Sequence, residues 1–509
     1  MFAADSGDEA LPRTGLARRS RSRSQPRRAA DLRLRGLPLQ TPADGNPSAV
    51  GASSLEPEEK GARSIQWHSW LQDYVSPARQ RWGRQLRKLV TESMFIGMNP
   101  HAWSFAQGGL DIDNRIGAEQ KEHARAFMQK NRVLPKQCYR KAEEMMAAGL
   151  APSQPGYVRA DLFLAGFPCQ PYSSQSRTKL DPTKHKCFPL TLLTIDYILL
   201  TRPRVALLEN VVGFREYADY FGEERSGFDI LRGKLDPLYH LGWSKLDLSV
   251  WLDCARPRLY MWLVAKDVGT VEECEAIGRQ MHLLESSRPE RLRARVEDFM
   301  FQCSSEEWRE RVQLRLQCRG GLAFSRAPKT DTEGERKAEK HLLSLQRVEV
   351  GRLRGLQGTP RQRAMYQALV AARCADNKCD VGSAGSRADA LEGFKWEFSQ
   401  NLPAPRNRCK GESPVDEALR RAIRSPLHCV VTASLPYSFE HDRLVLPEEV
   451  LRSHGWQIGA KVPDCTGITD RELQDLVGEM QAVQTLSVAL WSTLMVVAPR
   501  LSGLFAAAV

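Results

Sequence analysis

The chain has 509 residues, 42% hydrophobic and 26% charged, with a formal net charge of +12. That length accommodates two or three domains around a large core, and the balance is that of a soluble globular protein rather than a disordered or fibrous one. The positive excess is uneven: residues 13–35 hold nine arginines against Asp31 alone, and residues 284–426 hold 28 basic against 20 acidic side chains. A near-neutral body with two polyanion-binding appendages has this distribution.

Residues 1–65 are rich in Arg, Ser, Pro and Gly and poor in large apolar side chains, so they bury too little surface to offset their ordering entropy. A disordered tail is expected, and its run ARRSRSRSQPRR at 17–28 suits nuclear import or phosphate contact, with the cytoplasm as the alternative location. Trp67, Trp70, Leu71 and Tyr74, then Trp82, Leu86 and Leu89, recur at helical spacing. Residues 89–97, LVTESMFIG, read as a strand that ends in a turn at Gly97, and a second strand, RIGA, ends before Glu119. Residues 125–146 look polar and helical.

Residues 161–177, DLFLAGFPCQPYSSQSR, are an apolar run that Gly166 breaks before Phe167-Pro168-Cys169-Gln170. A short apolar run ended by Gly, Pro and Ser is a buried parallel strand, which leaves Cys169 at its carboxyl end, the edge where open α/β sheets bind ligands. A thiol placed there is a candidate nucleophile. Residues 188–200 are apolar nearly all round, a helix behind that loop, and 205–214, VALLENVVGF, form a further strand ending in Glu209-Asn210. A helix over 228–242 leads into a hairpin at 246–265 that carries Arg256-Pro257-Arg258. About 160 basic, turn-rich residues follow before the alternation returns. The last apolar stretch, LSVALWSTLMVVAP, is too short to span a bilayer comfortably and reads as a core helix.

Twelve cysteines without regular spacing, and an acidic amino terminus in place of a secretory signal, point to a reducing compartment. Cys374 and Cys379, with Cys409 and Cys429, are spaced too loosely for a zinc site, and no metal is expected.

Pro168-Cys169-Gln170, Glu209-Asn210-Val211 and Arg256-Pro257-Arg258, in this order and with Glu209 40 residues after Cys169, resemble the Pro-Cys-Gln, Glu-Asn-Val and Arg-x-Arg motifs of cytosine-5 DNA methyltransferases. The resemblance covers roughly residues 88–267 and 429–500, where DRLVLPEEVLRSHGW and LVGEMQAVQTLSVALW resemble the family's last two motifs. It implies an α/β fold, a doubly wound and mostly parallel Rossmann-like sheet. The implied parts are a tail at 1–65, a catalytic domain at 66–270 resuming at 429–509, and a target-recognition insert at 271–428. In the insert, Arg347, Arg352, Arg354, Arg361 and Arg363 would meet phosphates.

The resemblance also implies an activity: transfer of a methyl group from S-adenosylmethionine to carbon 5 of a flipped-out cytosine in DNA. Cys169 is then the nucleophile, Glu209 the general acid, and Arg256 and Arg258 orient base and thiolate, with Pro168, Gln170 and Asn210 beside them. Arginines near a thiol are one way to lower its pKa from about 8.5. The methyl donor falls to Phe95, Gly97, Glu119, Gly166, Phe167, Pro168 and Glu479. Four departures stand out: Asn99 for a second glycine, Cys254 for a glutamine, Glu479 for an asparagine, and no aspartate near Ala142, where Glu143 or Glu144 stands. They leave open a nucleic-acid-binding chain with a degenerate cofactor site, and an RNA substrate is a third reading. No membrane partner is expected, and the sequence leaves the oligomeric state open.

Overall fold

A computed structural model describes residues 66–82, 88–173, 176, 180–300, 396–397, 427–428, 436–438, 443–457 and 462–501. The expected tail and most of the expected insert, including its arginines and the cysteines from Cys374 to Cys429, lie outside the described residues.

Helix α1 (Gln66–Trp82) is followed by β1 (Leu89–Met94), α2 (Pro100–Gln107), β2 (Ile112–Ala118), α3 (Glu122–Lys130), β3 (Gln137–Tyr139), α4 (Ala142–Ala148) and β4 (Leu162–Ala165). Next come α5 (Phe188–Thr201), β5 (Val205–Asn210), a small hairpin of β6 (Ala218–Tyr220) and β7 (Glu223–Arg225), and α6 (Gly227–Leu235). The hairpin partners β8 (Tyr239–Asp247) and β10 (Pro257–Ala265) flank the short β9 (Cys254–Ala255), and α7 (Val271–Ser286) follows. The chain ends in α8 (Pro447–Ser453), α9 (Asp470–Glu479) and α10 (Val483–Leu501).

Seven strands form one sheet in the order β3-β2-β1-β4-β5-β10-β8. The first five pair in parallel, and β10 runs antiparallel to both its neighbours. The order reverses between β1 and β4, a switch point at which the strand ends open a crevice. Side chains alternate across the sheet. Leu162, Leu164, Val205, Leu207 and Tyr260 face the core of α1, α2, α7 and α10, whereas Phe163, Ala165, Ala206, Leu208 and Met261 face that of α5 and α6. This is a doubly wound, Rossmann-like α/β sheet.

The one buried carboxyl group in the middle of β1 has its partners at hand. Glu92 in β1 is buried, pairs with the Arg115 guanidinium, and accepts from the Tyr197 hydroxyl at 2.9 Å. A buried carboxylate without such donors would be strongly destabilising.

The returning segment is built into the first half. Ser487 Oγ lies 2.7 Å from Ser104 Oγ, Gln107 donates to the Gly455 and Gln457 carbonyls at 2.6 Å, and Gly108 abuts Trp491 so closely that a Cβ would sit 1.9 Å from its ring. The apolar stretch at the end is this α10, buried along most of its length. Among the described residues no single helix is long and apolar enough to cross a membrane.

Several expected boundaries move. The strand expected at 89–97 stops at Met94, because Phe95 takes φ 55° and leaves the extended region. The helical reading of 125–146 gives way to α3, the edge strand β3 and α4; three residues are too few to show an alternating pattern. The helix expected over 228–242 ends at Leu235, and β8 takes over from Tyr239. Val271–Ser286, placed at the start of the insert, is α7, whose Cys274, Ile277, Met281 and Leu284 belong to the same core as α10.

Candidate active site

The turn after β1 is left-handed three times in five residues: Phe95 at φ 55°, Gly97 at φ 53° and Asn99 at φ 62°. At Asn99, where the resemblance expects glycine, asparagine is among the residues that, after glycine, tolerate this conformation best. Its side chain is turned away from the turn, Oδ1 accepting from Ala102 N at 3.1 Å to cap α2 and Nδ2 donating to Val133 O at 2.5 Å. The departure thus preserves the turn. A Cβ built on Gly97 would meet nothing within 4 Å, so open space lies against the backbone there.

Glu119, one residue past β2, closes this turn from the side. Its Oε2 accepts from Gly97 N and its Oε1 from Lys121 N, both at 2.8 Å. Burial pushes its carboxyl up, against those two backbone donors. Lys121 in turn pairs with Asp475 at 2.5 Å and Glu479 at 2.6 Å. Glu479, assigned by sequence to the methyl donor, therefore points to Lys121 on the sheet's rim. Of Glu143 and Glu144, the second accepts from Arg140 N at 3.1 Å, near the end of β3.

The Cys169 loop leaves β4 through Gly166. Phe167 is buried, with its ring 5.2 Å from Phe214 and 6.4 Å from Tyr172. Asn210, also buried, donates from Nδ2 to Phe167 O at 3.1 Å and accepts from Val211 N at 2.8 Å, tying the end of β5 to the loop. The loop closes on itself as Tyr172 N and Ser173 N both donate to Cys169 O at 3.0 Å. Pro168 and Cys169 are half-buried and Gln170 is exposed.

Facing this loop, Glu209 at the end of β5 accepts from Arg258 Nε at Oε1 and from Gln481 Nε2 at Oε2, each at 3.0 Å. Register explains the first contact, since Glu209 is paired with Tyr260 across the antiparallel β5–β10 ladder, two residues from Arg258. Arg256 is 3% exposed; its backbone N–H donates to Asp247 at 2.9 Å and its guanidinium to the Met480 carbonyl. Burial pushes the Glu209 carboxyl above its ordinary range, with Arg258, Arg256 and Gln481 pulling the other way.

Burial likewise pushes the Cys169 thiol up; Arg258 and Arg256 lower it and Glu209 raises it. The expectation that the arginines leave the thiol depressed is corrected here, because loss of water outweighs their attraction. The two groups are linked: a proton on Glu209 removes one of the influences that hold the thiol up, so acid Glu209 and thiolate Cys169 favour each other.

A cleft opens between these parts, walled by Phe95, Ile96, His101, Gly166, Glu209 and Gln481 among others. The structure thus brings together Phe95, Gly166 and Glu209 from the sequence reading and adds two residues it missed. His101 follows the Asn99 cap; burial lowers its pKa to about 3, so it is neutral, and its Nε2 has no hydrogen-bond partner among the described residues. Gln481 follows Glu479 by two, the last polar side chain before Ala482 and Val483 enter the core. A lone amide at the mouth of an apolar helix was the available signal. Cys254 is buried in β9, which pairs in parallel with Leu427–His428. No cluster suited to a metal ion occurs among the described residues.

Residues 90–224 match the family model of C-5 cytosine-specific DNA methylases. This segment is thus recognised as a methylase domain of the cytosine-5 type. The match holds the turn at Gly97, Cys169 and Glu209, and ends before Arg256, Arg258 and the returning helices. No relative is found among curated protein sequences. Among solved structures, the S. pombe Dnmt2 methyltransferase is similar at 12% identity, over 80% of this chain and 98% of that one, with a TM-score of 0.41. A putative DNA modification methyltransferase from an E. coli prophage is similar at 13% identity, over 81% and 100%, with a TM-score of 0.42. An Entamoeba histolytica methyltransferase, EhMeth, gives 11%, 80% and 98%, with a TM-score of 0.40.

Proposed function

We propose that this methylase transfers a methyl group from S-adenosylmethionine to carbon 5 of cytosine in DNA through a covalent bond to Cys169. The observation that carries the reading is the buried Glu209–Arg258 pair at 3.0 Å, set beside the Cys169 loop at the ends of adjacent strands. Burial raises the Glu209 carboxyl, the direction that favours a general acid toward a ring nitrogen.

Carbon 5 of cytosine is a weak nucleophile. The Cys169 thiolate adds to carbon 6, the displaced electron pair moves through the ring, and its nitrogen takes the proton from Glu209. Carbon 5 is then enamine-like and takes the methyl group. Loss of the carbon 5 proton to solvent, expulsion of the Cys169 thiolate and return of the ring-nitrogen proton to Glu209 restore the aromatic ring and both side chains. Arg258 holds the Glu209 carboxyl while Asn210 fixes the loop that presents the sulfur. The target atoms lie within the stack of a duplex, so the base must leave it first.

The donor fits the glycine turn: open space against Gly97, a carboxyl at Glu119 on the next strand, and a cleft reaching to Gly166. When bound there, S-adenosylmethionine supplies the electrophilic methyl group. Phe95, Gly97, Glu119 and Gly166 are the residues to hold it, with Phe167 and Pro168 shaping the adjoining loop.

The test is transfer of labelled methyl from S-adenosylmethionine to duplex DNA, single-stranded DNA and transfer RNA, with Cys169→Ala alongside. Label on DNA cytosines that vanishes in the variant is expected. Label confined to transfer RNA would move the substrate to RNA, and transfer surviving in Cys169→Ala would remove the covalent step. No transfer, no donor binding and retained polymer binding would mean a nucleic-acid-binding protein.

A further inference from the structure

We propose that Gln481 is a gate on Glu209: its side-chain amide occupies the acceptor that an incoming base requires and swings aside as the base arrives. The inference rests on the reading of this site as one for cytosine. Both carboxyl oxygens of Glu209 are engaged, Oε1 by Arg258 and Oε2 by Gln481. A base that meets the carboxyl edge-on through its amine and ring nitrogen competes with these two donors for that edge. The guanidinium contact is charge-assisted and roughly twice as strong as one from a neutral donor, so the amide is the one that leaves.

The amide is also a chemical stand-in. Its planar, conjugated NH₂ donates as the exocyclic amine of cytosine does, so exchanging one for the other keeps Oε2 satisfied in a buried site where an orphaned acceptor is costly. Room for the amide comes from Gly166, where a Cβ would lie 2.3 Å from Gln481 Nε2. The backbone is pinned on both sides of the hinge: Trp456 Nε1 donates to Gln481 O at 3.1 Å, and the Arg256 guanidinium donates to Met480 O. Movement is thereby confined to side-chain rotamers, and the cleft that Gln481 lines is the space it moves in.

The experiment measures methyl transfer at saturating S-adenosylmethionine, on the polymer the wild type methylates, for Gln481→Leu and Gln481→Ala, with melting curves to show that each is folded. A gate predicts a polymer KM lower by about fivefold in both, the worth of one neutral hydrogen bond no longer broken, with kcat not reduced. A fall in kcat with KM unchanged or raised would overturn it and make Gln481 a support for Glu209. If the wild type transfers nothing to any polymer, the proposed function fails. Infrared difference spectra against Glu209→Gln across a pH series then decide the gate contact alone: Gln481→Leu must move the Glu209 carboxyl titration to higher pH, and an unmoved titration overturns it.

Discussion

Replacing Arg258 with glutamine removes a guanidinium whose Nε lies 3.0 Å from Glu209 Oε1, in a pair whose side chains are 16% and 12% exposed. Two unit charges this close attract by about 5 kcal/mol at an effective dielectric constant of about 20, and desolvation offsets part of that. Breaking such a pair costs about 3–5 kcal/mol when the survivor stays charged. Glu209 has an escape, because burial already pushes its carboxyl up and loss of Arg258 pushes it further, so the variant takes a proton there. A carboxyl raised in the folded state makes the folded chain bind more protons than the unfolded one, and stability then falls as pH rises. The expected loss is therefore about 1 kcal/mol near pH 5 and about 3 kcal/mol near pH 8. Denaturant unfolding followed by tryptophan fluorescence reads this, since Trp103, Trp456 and Trp491 lie in the same core. In a Glu209→Gln background the same change should cost less, with a coupling of about 2 kcal/mol near pH 8. Equal losses at the two pH values, or a coupling below about 0.5 kcal/mol, would refute the charge pair as the organising contact.

Three further changes test the surrounding structure. Asn99→Gly keeps the φ of 62° and should cost under about 1 kcal/mol, since Val133 O retains its bond from Asn114, whereas Asn99→Ala loses the cap and strains the backbone for about 2–3 kcal/mol; melting curves of the pair separate the two. Asn210→Ala frees the Phe167 carbonyl in a buried loop, for a stability loss of about 1–3 kcal/mol and a fall in methyl transfer of about tenfold or more through a displaced Cys169; unchanged kinetics would separate Asn210 from the loop's placement. Glu285, pushed up to about 7 by burial and by Asp247, is a carboxyl whose folded pKa exceeds its unfolded one. Stability is thus highest below the unfolded value and is lost as pH rises toward 7. Glu285→Gln should stabilise by about 1–3 kcal/mol near pH 8 and by almost nothing near pH 4, and a stabilisation independent of pH would contradict the assignment.

The strand-loop signals were readable because they are local. An apolar run broken by Gly166 and Pro168, or by Glu209-Asn210, reads as a short strand, and both strands stand where expected. Helices α5 and α10 were equally plain, being apolar over whole turns. Strand β3 was not, since an edge strand of three residues carries no period of its own. The role of Asn99 was open in the sequence, because whether its side chain fills the turn or caps the helix depends on a φ angle and on Val133, 34 residues away.

Sequence alone determined the strands that end at Cys169 and Glu209 and the residue types at their carboxyl ends, since both follow from hydrophobic period and turn chemistry within a few residues. The meeting of those ends was decided by tertiary structure. Glu209 reaches Arg258 through the antiparallel register of β5 and β10, and Gln481 reaches Glu209 from 272 residues away because α10 is packed beside α2. The Cys169 thiol is the clearest case. Its arginines are visible in the chain, but the desolvation that outweighs them exists only once the chain has folded around the loop.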